Sequence, residues 1–156
     1  MLENLLSYFF PAAVLIMIIS ASFYFIEKNK IITKYKQGNS KHLKNISGLI
    51  ISDRGQLKKS IQLCSFDILI NRDTIFIFPK SFYIIPLRKI ILNFSNSDKK
   101  LISSTILLRE MNINNHSVDL ISYPKYLLSK GRIIRLQNLS QEQILIFEDI
   151  KQNKNY

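Results

Sequence analysis

The chain has 156 residues and a formal charge of +11, with 22 Lys and Arg against 11 Asp and Glu. A single cysteine excludes a disulfide framework and a cysteine-built zinc centre, and four glycines leave no Gly-rich phosphate loop of the P-loop or dinucleotide type. The basic excess points to an anionic partner, whether lipid headgroups, nucleic acid or an acidic protein face. The abundance of Ile, Lys and Asn is also what an AT-rich coding sequence would give.

Residues 5–26 read LLSYFFPAAVLIMIISASFYFI, with no Asp, Glu, Lys, Arg or His. A helix needs roughly 20 such residues to cross the hydrocarbon core, and helix is the form in which a lone segment satisfies its own backbone there. Tyr8, Phe9 and Phe10 at one end and Phe23, Tyr24 and Phe25 at the other are spaced as interfacial aromatic clusters. Pro11 is tolerated if the helix begins near Ser7 and disturbs it otherwise. A cleaved signal peptide is disfavoured because no Lys or Arg precedes the apolar run. A soluble core helix is disfavoured because the run is apolar on all faces.

Residues 1–4 form a short tail, and residues 27–46 a basic juxtamembrane linker. Lys28, Lys30, Lys34, Lys36, Lys41 and Lys44 follow the anchor, with no acid between Glu27 and Asp53. Cations stay on the cytoplasmic side of a spanning helix. The expected topology is therefore a single-pass protein of the inner (plasma) membrane, N-terminus outside and C-terminal domain cytoplasmic. The linker's first residues extend the anchor helix a turn or two, bringing Lys28, Lys30, Lys34 and Lys36 to the lipid phosphates.

From residue 47 the pattern changes to short apolar runs broken by turn residues, a strand signal. Strands are predicted at 48–52, 60–71, 74–78 (stopped by Pro79), 82–85, 90–94, 105–111, 117–122 and 132–137. Turns are predicted at 53–55, 71–73, 96–100 and 112–116. Ser140 opens a final amphipathic helix as N-cap, with Gln143 as its capping-box partner and Ile144, Phe147 and Ile150 on one face. The helix ends near 151–153, leaving 154–156 frayed. The fold class is α+β: a transmembrane helix, then a small, mainly antiparallel β-barrel or sandwich at 47–153 closed by the C-terminal helix.

Residues 66–78 (FDILINRDTIFIF) resemble the strand–turn–strand hairpin of bacterial pleckstrin-homology-like (PH-like) and GRAM-like domains. Residues 84–90 (IIPLRKI) are similar to that family's Ile-Pro-Leu-x-x-Ile turn, and strand 132–137 with the Ser140 helix to its closing elements. The resemblance implies a small barrel whose last helix carries a hydrophobic anchor. With no Trp in the chain, that anchor is Phe147. It also implies that some turn cations line an anionic lipid or peptide site at one rim.

Candidate anionic-surface contacts are Lys28, Lys30, Lys34, Lys36, Lys58, Lys59, Arg88 and Lys89. Arg72, Lys80, Lys99 and Lys100 also fall at turns or strand ends. No catalytic, metal or cofactor-binding residues are assigned, and no cofactor is expected. His42 and His116 lack neighbouring ligands, Cys64 sits in an apolar strand, and Asp67, Asp73, Glu148 and Asp149 form no convergent pair. Phe76, Phe78, Phe82 and Tyr83 alternate with β-branched residues and read as core, which disfavours nucleic acid. The expectation is a non-enzymatic binding or scaffolding module engaging a protein partner, the anionic inner leaflet, or both. The alternatives are an accessory subunit of a larger membrane complex and a membrane-tethered enzyme of unknown chemistry.

Overall fold

The computed structural model describes residues 2–36, 38–53, 59–71, 74–82, 85–93, 105–122 and 131–152. Lys58, Arg72, Lys99, Lys100 and the predicted turns at 54–55, 72–73 and 96–100 lie outside the described residues. The chain divides into two compact units, Met1–Lys36 and Gln37–Tyr156.

The first unit is one helix, α1 (Leu2–Tyr35). It runs nine residues past the apolar segment because nothing between Pro11 and Gly38 breaks it. Lys34 in its last turn also suits the negative end of the helix dipole. Lys36 continues the pattern, its N–H donating to the Ile32 carbonyl at 2.8 Å. Tyr8–Tyr35 is the one stretch of described helix long and apolar enough to cross a membrane. At 1.5 Å per residue its 28 residues reach about 42 Å, more than a hydrocarbon core of about 30 Å needs. Pro11 lies inside the helix, so the carbonyl four residues earlier receives no N–H from it. Ser22 sits mid-helix with its hydroxyl donating to the Ile18 carbonyl at 2.8 Å, which hides the side chain's polarity within its own helix.

The second unit is a closed barrel. Its strands are β1 (Lys41–Asp53), β2 (Lys59–Ile70), β3 (Thr74–Ser81), β4 (Ile85–Pro86), β5 (Ile90–Asn93), β6 (Thr105–Asn114), β7 (Ser117–Ser122) and β8 (Arg132–Gln137). Seven form a ring in the order β1, β2, β3, β5, β6, β7, β8, which closes when β8 pairs with β1; β4 hangs on β3 outside it. Every ring pair is antiparallel except β5–β6, which is parallel. The connection between those two strands, 94–104, lies outside the described residues.

Alternate residues point inward and build one core. Leu43, Ile46 and Ile50 of β1 meet Phe66, Ile68 and Ile70 of β2, Ile75 and Ile77 of β3, and Leu120, Ile134 and Leu136 from the far wall. Leu69, Phe76 and Phe78 alternate out of phase with that set and are buried as well. β2 and β3 are thus buried on both faces over this stretch, which explains an apolar run with little polar alternation.

The strand predicted at 82–85 does not form as such: Phe82, read as core, is instead an exposed turn residue with φ of 48°, 83–84 lie outside the described residues, and β4 covers only Ile85–Pro86. Three further differences from the sequence reading have physical causes. β1 begins at Lys41, inside the stretch read as linker, because a bulge between Leu43 and Ile46 reverses the phase of its apolar residues and hides the alternation. Asn45, with φ of 54°, supplies the left-handed residue of that bulge. β3 runs through Pro79 to Ser81. The Pro79 carbonyl accepts the Leu87 N–H at 2.9 Å, so its ring nitrogen also faces the β4–β5 side. There the ladder to β5 has ended at Ile77 and that to β4 starts at Lys80, so no bond is lost. The β6–β7 turn tightens to Asn115 and His116, and β6 extends to Asn114.

Gly48 lies where β1 pairs with β8, opposite Leu136. A Cβ there would overlap the Arg135 carbonyl oxygen and press on the Phe66 ring. The position takes no side chain because the Arg135 backbone of β8 and the Phe66 ring already occupy that space.

Helix α2 (Gln141–Gln152) leaves from the C-terminal end of β8 and packs on β6 and β7. The Ser140 hydroxyl accepts the Gln143 N–H at 3.3 Å, and the Gln143 side-chain oxygen accepts the Ser140 N–H at 3.0 Å, forming the capping box predicted above. Ile144 and Phe147 are buried in the barrel core, and Phe147 is fully enclosed.

Candidate binding mouth of the barrel

The strand directions give the ring two distinct ends. One holds the starts of β1, β3 and β7 and the ends of β2 and β8, from which α2 departs. The other holds the ends of β1, β3 and β7 and the starts of β2, β5, β6 and β8. At this second end lies a cavity of about 560 Å³.

Its floor is apolar, from Ile50, Ile90, Ile91 and Ile106. Its polar lining is Ser52, Ser60, Gln62 and Thr105, and its cations are Arg88, Lys89 and Arg132. None of the described lining residues is acidic. Concave shape, apolar floor and a few charged groups of one sign are the usual features of a ligand site.

Backbone contacts position the cations. The Leu87 N–H bond to the Pro79 carbonyl fastens the turn carrying Arg88 and Lys89 to β3. Arg132 opens β8, where Ser52 and Ser122 are its cross-strand neighbours. Its carbonyl accepts the Ser122 hydroxyl at 3.3 Å, and next to it Asp53 N–H donates to the Gly131 carbonyl at 2.9 Å.

The sequence-derived cations fall in different places. Arg88 and Lys89 line the mouth. Lys59 begins β2, exposed and opposite Asp53, just outside the cavity lining. Lys28, Lys30 and Lys34 lie on α1 and Lys36 just past it; Lys28 is half-buried and the others exposed. Lys34 Nζ lies 5.5 Å from the centroid of the Tyr35 ring, a cation–π contact. Lys80 belongs to a different group: its ammonium is 3.2 Å from the Asp67 carboxylate and 3.3 Å from Asn45 Oδ1.

Arg132 was not among the sequence candidates, although a signal exists. It shares the i, i+2, i+4 phase of Ile134 and Leu136, so a cation there marks where the core ends and the mouth begins. Arg135, in the opposite phase, pairs across the outer face with Asp119 through two hydrogen bonds of 2.8 Å. Those bonds first, and the carboxylate charge second, hold its guanidinium protonated beyond the ordinary range.

His116 lies in the exposed β6–β7 turn and His42 in β1. The described residues hold no group of three or more metal-ligating side chains. Cys64 is buried in the core, and burial pushes its thiol up, away from thiolate chemistry. No family model and no curated protein matches this chain.

Proposed function

We propose that this is a single-pass membrane protein whose barrel is a non-catalytic binding module, taking an anionic protein partner at its basic mouth. The observation that carries the reading is the cavity lined by Arg88, Lys89 and Arg132 with no carboxylate among its described lining residues. Cations gathered around a concave apolar floor suit acidic side chains, and the site's field raises the encounter rate with them. The described lining combines hydroxyls, an amide and three cations, a donor set that suits holding an anionic group.

The anchor supplies location, and the lysines after it favour the N-terminus outside with the barrel in the cytosol. The seven-strand ring, the terminal helix and the enclosed Phe147 support the PH-like resemblance. A domain tethered by its own helix has no need of lipid recruitment, so a neighbouring protein is the better ligand than the leaflet.

The test uses the full chain in phosphatidylcholine nanodiscs with fluorescent polyglutamate as probe. Salt-sensitive binding that falls about tenfold or more in the Arg88→Glu, Lys89→Glu double variant is the expected result. Binding unchanged by both reversals overturns the reading. Vesicles containing phosphatidylglycerol that displace the probe assign the mouth to the leaflet instead.

A further inference from the structure

β2 is longer than the strand that flanks it inside the ring. It pairs with β1 from Lys59 to Ile70 but with β3 only from Cys64 to Ile70. Residues 59–63 therefore have a strand partner on one side only among the described residues. β3 departs at Phe82, an exposed aromatic whose φ of 48° turns the chain, and β4 then folds back on β3 rather than on β2. Alternate residues of an antiparallel strand direct both N–H and C=O to the same side, so this edge presents backbone donors and acceptors.

The side chains of the edge are sorted. Ser60 and Gln62 line the mouth, while Ile61 and Leu63 are 68% and 64% exposed on the outer face. The edge and the turn carrying Arg88 and Lys89 border the same cavity.

We propose that an extended segment of a partner protein, alternating acidic and aliphatic residues, adds to β2 at 59–63 as a further strand in the place β3 vacates. Its inward side chains are the acidic ones and meet Arg88, Lys89 and Arg132. Its outward side chains are the aliphatic ones and continue the row made by Ile61 and Leu63 with their cross-strand neighbours Ile51 and Leu49. Backbone bonds supply affinity in such additions, and alternate side chains supply specificity. A second copy of this chain is the poorer occupant, because edge-to-edge pairing brings Lys59 and the basic mouth against their own likeness. The inference rests on the mouth being the binding site.

The test adds a labelled peptide of alternating Glu and Val to the full chain in non-ionic detergent. Two derivatives carry N-methyl groups on one or the other set of alternate residues, with side chains and charge unchanged. Strand addition predicts that one derivative binds like the parent while the other loses about tenfold or more, the effect of two or so backbone hydrogen bonds. The Arg88→Glu, Lys89→Glu variant loses affinity for the parent peptide, and amide exchange at 59–63 slows when it binds. If both derivatives bind like the parent, charge alone holds the peptide; strand addition falls and the basic mouth stands. Strand addition falls in the same way if polyglutamate binds and the parent peptide does not. If neither binds, both readings fall. Concentration-dependent protection of 59–63 without peptide gives the edge to a second copy and overturns the proposal.

Discussion

Asp67 is carried on β2 in the phase of Leu69 and is almost fully buried, which no carboxylate tolerates without partners. One oxygen accepts the Asn45 N–H at 2.9 Å, and the other lies 3.2 Å from the Lys80 ammonium. The carboxylate thus neutralises a half-buried lysine and satisfies the backbone of the β1 bulge, tying β1, β2 and β3 at one point. Asp67→Asn keeps an acceptor for Asn45 but leaves Lys80 uncompensated, and is expected to destabilise the barrel by about 3 kcal/mol. The measurement is a urea titration of the full chain in detergent, followed by tyrosine fluorescence. In the sequence this residue reads as a polar interruption near a hairpin. Its partners lie 22 positions earlier in the chain and 13 later, and such pairings follow from register rather than from local pattern.

The terminal helix was the most legible element, since Ser140 and Gln143 sit at capping-box spacing and Ile144 and Phe147 share a face. Local rules suffice there. They also sufficed for β7 and β8, whose predicted and observed bounds coincide. They failed at β1, where a bulge scrambles the alternation, and at β3, where the effect of Pro79 depends on which side its nitrogen faces. The parallel β5–β6 pair was also illegible, because pairing direction is decided by the ring and not by either strand. The candidate site divides in the same way: the turn cations Arg88 and Lys89 were visible, while Arg132 needed the register of β8. At this scale the test is energetic. Ser140→Ala is expected to cost about 1 kcal/mol through the lost cap. Phe147→Ala is expected to cost about 3–5 kcal/mol through the cavity left in the core. Both are read from the same urea titration, and equal costs would count against the helix as the barrel's plug.

For the whole molecule, charge asymmetry is the organising fact: every Lys and Arg follows the apolar segment. If the lysines hold the barrel on the cytosolic side, trypsin added to sealed inverted membrane vesicles cleaves the chain, and trypsin added to right-side-out vesicles leaves it intact. The reverse pattern would place the barrel outside. The ring has a consequence for how the chain is made. β1 lies between β2, its neighbour in sequence, and β8, reached only when Gln137 pairs with Ser47. At about 5–20 residues per second, the ribosome delivers β8 roughly 5–20 s after β1. For that interval the β1–β2 hairpin waits with its β8-facing edge open and its apolar face uncovered. Closure by the last strand is therefore a contest against pairing with a stranger, and its outcome depends on how fast translation finishes.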